Sequence, residues 1–221
     1  MFNVARPQEI PECLTRDKNK QYNSKEVVDI LAPLFHYKCY LCERDELFDS
    51  EIEHCDPHEN DEKKKYDWHN LYYACSRCNN VKSNKHKELL DCCDPAIDVF
   101  RTIKCTFIPC EPIRITAENS QTDVKTQNTV KLLTKCYNEE NTALRSISKI
   151  HLHEKILDYY TDLLNHRRVL FSKKSTDTKK QEAKESIEAM LRVSFPFSVF
   201  WRWYVLSDSF LAKELKDSIN F

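Results

Sequence analysis

Glycine is absent from this chain of 221 residues, and that absence excludes whole classes of chemistry. The P-loop, the dinucleotide-binding fingerprint and the kinase phosphate loop all need glycine where the backbone closes on a phosphate. If the protein depends on ATP, another chain supplies the site. Codon drift toward Lys, Asn, Asp and Ile would account for the same lack without any functional meaning. Long apolar runs are missing too. No stretch reaches the length of about 18 apolar residues that predicts a transmembrane span. Met1–Ile10 carries Arg6 and Pro7 but not the apolar segment of a secretory leader. The expectation is a cytoplasmic protein with no membrane association. A charge excess of either sign is also lacking: 34 basic and 35 acidic residues leave a net charge of −1. Global charge therefore neither favours nor opposes nucleic acid, and only local charge can decide.

What is present is cysteine, 11 residues of it. Without export a disulfide framework is not expected, so metal binding becomes the leading use of spaced cysteines. Hydrophobic residues make up 41% and charged residues 31%, as in an ordinary globular protein with a substantial core.

Along the chain, residues 1–22 read as a polar, extended lead-in containing Pro7 and Pro11. Ser24 caps a predicted helix from Lys25 to about Phe35, with Val27, Val28, Leu31 and Leu34 on one face and Pro33 ending it. A tight turn, Cys39–Cys42, follows. Leu47–His54 reads as a strand, Asp56–Asp67 as a loop, and Tyr72 to about Lys85 as a helix. Residues 96–115 predict a hairpin or two short strands. Helices are expected over 124–137, 141–170, 180–192, 195–206 and 208–219, with a lysine-rich joint at Ser172–Lys180. The expected division is a lead-in and helix (1–36), a cysteine-rich α+β core (37–95) and a hairpin with a helical region for partner or nucleic acid (96–221).

Two knuckles of identical spacing, Cys39-x-x-Cys42 and Cys75-x-x-Cys78, carry the strongest signal. Zn²⁺ takes four thiolates in a tetrahedron, and two such turns supply them with little strain. The other seven cysteines form no second pair of knuckles and read as core or neutral thiols. Between and after the knuckles lie Ile52-Glu53-His54-Cys55-Asp56-Pro57-His58 and Asn70-Leu71…Cys75-Ser76-Arg77-Cys78-Asn79…Lys82.

Over residues 39–86 this ordered set resembles the HNH endonucleases: an acidic residue and His, then Asn-Leu, then C-x-x-C followed directly by His or Asn. The resemblance implies a zinc-stapled ββα-metal core hydrolysing phosphodiester bonds. His54 would be the general base, an imidazole titrating near neutrality. Glu53 and Asn79 would ligate a catalytic Mg²⁺ or Mn²⁺, as hard oxygen donors suit, with His86 as a further ligand. Asn70 would orient the loop carrying His54. Many relatives have Asp or His in place of Glu53 and His in place of Asn79. Adjacent strand residues point to opposite faces, so Glu53 and His54 need a strand end or bend, which Asp56-Pro57 would provide. His58, Arg77, Lys82 and Lys85 are candidate phosphate contacts on a locally basic stretch. His36, His69 and Asn80 read as packed or surface residues.

The layout further resembles the HNH nuclease subunit of Septu-type anti-phage systems, through the helical half containing Leu132, Leu133, Asn141 and Arg145. That resemblance implies a nucleic-acid substrate, DNA ahead of RNA, and an ABC/SMC-like ATPase partner. In retron-associated versions it implies a reverse transcriptase and its RNA–DNA product. The competing readings are a catalytically inactive zinc-stapled module that binds nucleic acid or protein, and an effector that is silent without its partner. Two further features are open. The basic cluster Arg167, Arg168, Lys173, Lys174, Lys179 and Lys180 reads as a solvated surface or a second phosphate contact. The aromatic run Phe195–Tyr204 reads as core or as a docking face.

Overall fold

The computed structural model describes residues 1–16, 19–118, 123–140 and 147–221. Asn141 and Arg145 lie outside the described residues. The chain is α+β, with two small antiparallel sheets among helices. Among the described residues no helix is long and apolar enough to cross a membrane.

Helix α1 (Glu12–Thr15) precedes α2 (Lys25–Leu34), where the Ser24 side chain accepts from the Val27 N–H as expected of an N-cap. Val27 and Leu31 are fully buried. Pro33 falls in the last turn, and the helix closes through His36 and Tyr37, both left-handed (φ 54° and 57°). Most helices that end this way use glycine; a chain with none uses other residues at a conformational cost.

The expected lead-in is corrected by the structure. Met1, Phe2, Val4, Cys13 and Leu14 are buried, because this segment covers the core rather than leading into it. The Met1 ammonium lies 3.2 Å from Glu43, whose other oxygen faces the Lys38 ammonium at 3.3 Å and accepts from the Ser198 hydroxyl. Burial works against the Glu43 carboxylate, but these partners hold its pKa at about 2.

Strand β1 (Ser50–His54) pairs antiparallel with β2 (Leu71–Cys75), from Ser50 opposite Cys75 to His54 opposite Leu71. Between them lie α3 (Glu62–Lys65) and a single 3-10 turn, Trp68–Asn70. Two expectations change here. The strand is shorter than Leu47–His54, and Phe48 stands 97% exposed before it. The predicted helix from Tyr72 is strand up to Cys75, and helix α4 covers only Ser76–Lys82. All five β2 residues are buried, so the run Leu-Tyr-Tyr-Ala-Cys shows no one-sided alternation, and periodicity alone does not separate such a strand from a buried helix.

Helix α5 (Val99–Thr102) leads into the second hairpin, β3 (Ile103–Thr106) with β4 (Arg114–Ala117). The helices are α6 (Val124–Asn138), α7 (Lys149–Phe171), α8 (Asp177–Met190), α9 (Ser198–Ser207) and α10 (Ser209–Glu214). Helix α8 starts three residues before its expected position because Thr176 caps it. Phe197, Phe200, Trp201 and Trp203 are buried, so the aromatic run is core. The buried residues of the N-terminal segment, both hairpins and the helices form one connected core.

Candidate functional site

The two knuckles meet. The Sγ atoms of Cys39, Cys42, Cys75 and Cys78 all lie within 4.8 Å of one another, and all four residues are buried. Cys42 and Cys75 stand 3.8 Å apart. Four sulfurs at about 2.3 Å from a tetrahedral Zn²⁺ would be about 3.8 Å apart, so the donor set fits structural zinc. The residues that deliver it are the turn after α2 and the junction of β2 with α4, where the Cys75 sulfur also accepts from the Cys78 N–H. The Arg44 guanidinium, bonded to Asp49, lies near the sulfurs of Cys42 and Cys75, where its charge would offset part of the negative charge of four zinc-bound thiolates.

The clamp fixes α4 across β1. His54 is the last residue of β1 and is half-buried. Its Nε2 lies 3.0 Å from the Lys65 carbonyl at the end of α3. A carbonyl only accepts, so Nε2 carries the proton and the Nδ1 lone pair is the basic one. Tyr22 and His58 pack edge-on against the ring, each with centroids at 4.7 Å. Burial, joined by the charges of His58 and Lys82, pulls the His54 pKa below its ordinary 6.5, with the Lys65 carbonyl acting the other way.

Asn70 holds this loop. Its Oδ1 accepts from the Asp56 N–H at 2.7 Å, and its Nδ2 donates to the carbonyls of Asp56 and Lys64. Asn70 thus pins the segment after His54 to the end of α3, the same element that orients the His54 ring.

The expected metal pair is not assembled. Glu53 is 3% exposed. Its Oε1 meets the Lys82 ammonium at 2.5 Å and its Oε2 accepts from the Tyr40 hydroxyl at 2.6 Å. Asn79 donates instead to Glu51, on the same strand face two residues earlier. As arranged, Glu53 and Asn79 do not fit a divalent cation, because a lysine already neutralises the carboxylate. Lys82 also donates to the His54 carbonyl at 2.7 Å. His86 is half-buried, and among the described residues it joins no ligand group.

The expected phosphate contacts separate by burial. Arg77 is fully buried and donates to the carbonyls of Cys136, Glu139 and Ile147, where it caps α6. Lys82 is 1% exposed. Both calls are corrected: these cations serve the fold. Lys85 is exposed, and His58 is half-buried with its Nδ1 accepting from Asn60. In the C-terminal cluster Arg168, Lys173, Lys174 and Lys179 are exposed, while Arg167 pairs with Asp208. Tyr22, Tyr40 and the Lys65 carbonyl were invisible as site residues in the sequence, since each acts through proximity across the fold; Tyr40 occupies only an unspecified position of the first knuckle.

No known protein family, curated protein or solved structure matches the chain.

Proposed function

We propose that this protein is an HNH-type endonuclease that hydrolyses phosphodiester bonds of nucleic acid. The observation that carries the proposal is the His54 arrangement. A strand-end imidazole donates through Nε2 to a backbone carbonyl, keeps Nδ1 as the base, and has its loop held by an asparagine from the 3-10 turn that precedes the partner strand. In the proposed reaction a water oxygen attacks phosphorus as Nδ1 takes its proton, the bond from phosphorus to the leaving oxygen breaks, and solvent reprotonates that oxygen. A zinc-stapled hairpin and helix supply the rigid frame such positioning needs. Exposed Lys85 is the phosphate contact kept from the sequence reading. The Mg²⁺ or Mn²⁺ implied by the resemblance is assigned no step, because Lys82 occupies Glu53.

The proposal extends, through the same resemblance, to the effector role in an anti-phage complex with an ATPase subunit. The test is cleavage of plasmid DNA and of an RNA pool by the purified chain, alone and with such a partner, in Mg²⁺, Mn²⁺ or EDTA. Cleavage supports the nuclease, and its dependence on the partner supports the effector role. Binding without cleavage under every condition would identify the inactive zinc-stapled module instead.

A further inference from the structure

A second group of thiols lies apart from the knuckles. Cys92 and Cys93 follow β2 and α4 in sequence, and their sulfurs and an Asp91 carboxylate oxygen lie within 4.8 Å of one another. Arg6, from the N-terminal segment, decides what this group does. Its guanidinium lies over the rings of both Trp68 and Tyr72, at 5.0 and 4.9 Å from their centroids. It donates to the carbonyls of Trp68 and Leu71 at 2.8 Å and, through Nη2, to the Cys93 sulfur at 3.4 Å. A fixed cation against the sulfur opposes a bound metal ion and favours a thiolate. Asp91 is occupied as well, accepting from the Tyr72 hydroxyl and from the Cys93 N–H. Cys92 is 1% exposed, whereas Cys93 is only half-buried and lines a cavity of about 810 Å³ that also holds Arg6, His69 and Arg202.

We propose that Cys93 is a covalent modification site, a guanidinium-held thiolate that reacts with peroxides and soft electrophiles entering through this cavity. With a peroxide, a sulfur lone pair forms an S–O bond as the O–O bond breaks. Sulfur is oxidised to the sulfenic acid, and the leaving oxygen takes a proton to give water or an alcohol. With a haloacetamide, an S–C bond forms and halide leaves, with no redox change. The groups facing the sulfur divide. The Cys92 thiol and Arg6 lower the Cys93 pKa to about 7, while burial and Asp91 oppose them. Cys55, from the hairpin, also lies near enough to feel the charge of Cys93, but burial holds its own thiol protonated. The site does not depend on the nuclease reading, since neither Arg6 nor Cys93 belongs to that machinery.

The test uses the zinc-loaded wild-type chain, limiting iodoacetamide, and peptide mapping of every cysteine across a pH series. Cys110 is exposed and provides the control for accessibility. Near pH 7 a thiol of this acidity carries about 15-fold more thiolate than an ordinary one. Its lower nucleophilicity takes back about 5-fold, leaving an advantage of about 3-fold. Labelling of Cys93 should exceed that of Cys110 near pH 7, level off above it, and be blocked by prior treatment with hydrogen peroxide, with dimedone trapped on Cys93. An Arg6→Gln variant that keeps the wild-type circular dichroism should lose the early plateau. Labelling of Cys110 ahead of Cys93, or a Cys93 rate still climbing steeply above about pH 8 in the wild type, would overturn the proposal.

Discussion

Replacing Lys82 with methionine removes an ammonium from beneath α4 and leaves Glu53, 3% exposed, with only the Tyr40 hydroxyl. Breaking a buried ion pair from one side costs about 3–5 kcal/mol, because the remaining charge stays in low dielectric. In a chain of this length each kcal/mol moves Tm by about 2–4 °C, so Lys82→Met should lower it by about 6–20 °C. The sign of the pH dependence follows from Glu53. Burial holds its pKa above the ordinary carboxylate value, and the Lys82 charge is the chief force pulling it down. A carboxyl with a raised folded pKa contributes stability that is fully present below its unfolded value and lost as pH rises through the folded one. Removing Lys82 raises that folded pKa further. The penalty is therefore largest near pH 8 and shrinks toward about pH 5, where Glu53 takes up a proton cheaply. Urea unfolding of the wild type, Lys82→Met and Lys82→Met/Glu53→Gln at both pH values reads this directly. The double variant, with no buried charge, should recover part of the loss. A single variant within about 1 kcal/mol of wild type near pH 8, or a penalty unchanged by pH, would refute the reasoning.

Two other perturbations are equally concrete. Ser83, which closes α4, adopts φ 44° and ψ −158°, a region open essentially to glycine and costing another residue about 1–3 kcal/mol. Set against the entropy glycine adds to the unfolded chain, Ser83→Gly should stabilise by about 1 kcal/mol, read as a higher urea midpoint at unchanged slope. Elemental analysis should find one zinc per chain, and Cys78→Ser or a strong chelator should abolish the cooperative unfolding transition, since structural zinc is worth about 10 kcal/mol or more in small domains. A metal-free protein with an unchanged Tm would remove zinc from the account.

The knuckles were legible in the sequence because two identical C-x-x-C turns need only close in space, and the fold closes them. Ser24 as a helix cap was legible because it acts on a backbone group close to its own position in the chain, whereas the contact of Asn70 with the segment after His54 was suggested only by the family resemblance. The strand β2 was not, since a segment buried on both faces carries no alternation to distinguish it from a helix. Nor was the fate of the cations. Arg77, Lys82 and Lys85 look alike along the chain, yet one caps α6, one neutralises Glu53 and one faces solvent. Charge along a sequence reports a patch only if the helix that carries it is exposed, and α4 lies between β1 and α6. The missing glycine acquires a second meaning as well. It excludes a phosphate loop in this chain, and it also places Ser83, His36 and Tyr37 in left-handed backbone.

The central claim is that His54 is the base of a phosphodiesterase, and single-turnover cleavage of a labelled duplex by wild type and His54→Ala tests it most directly. General-base catalysis contributes about 10²–10⁴-fold, so the account predicts a loss of that size in a variant that keeps its zinc and its Tm. An active wild type matched in rate by His54→Ala would contradict it.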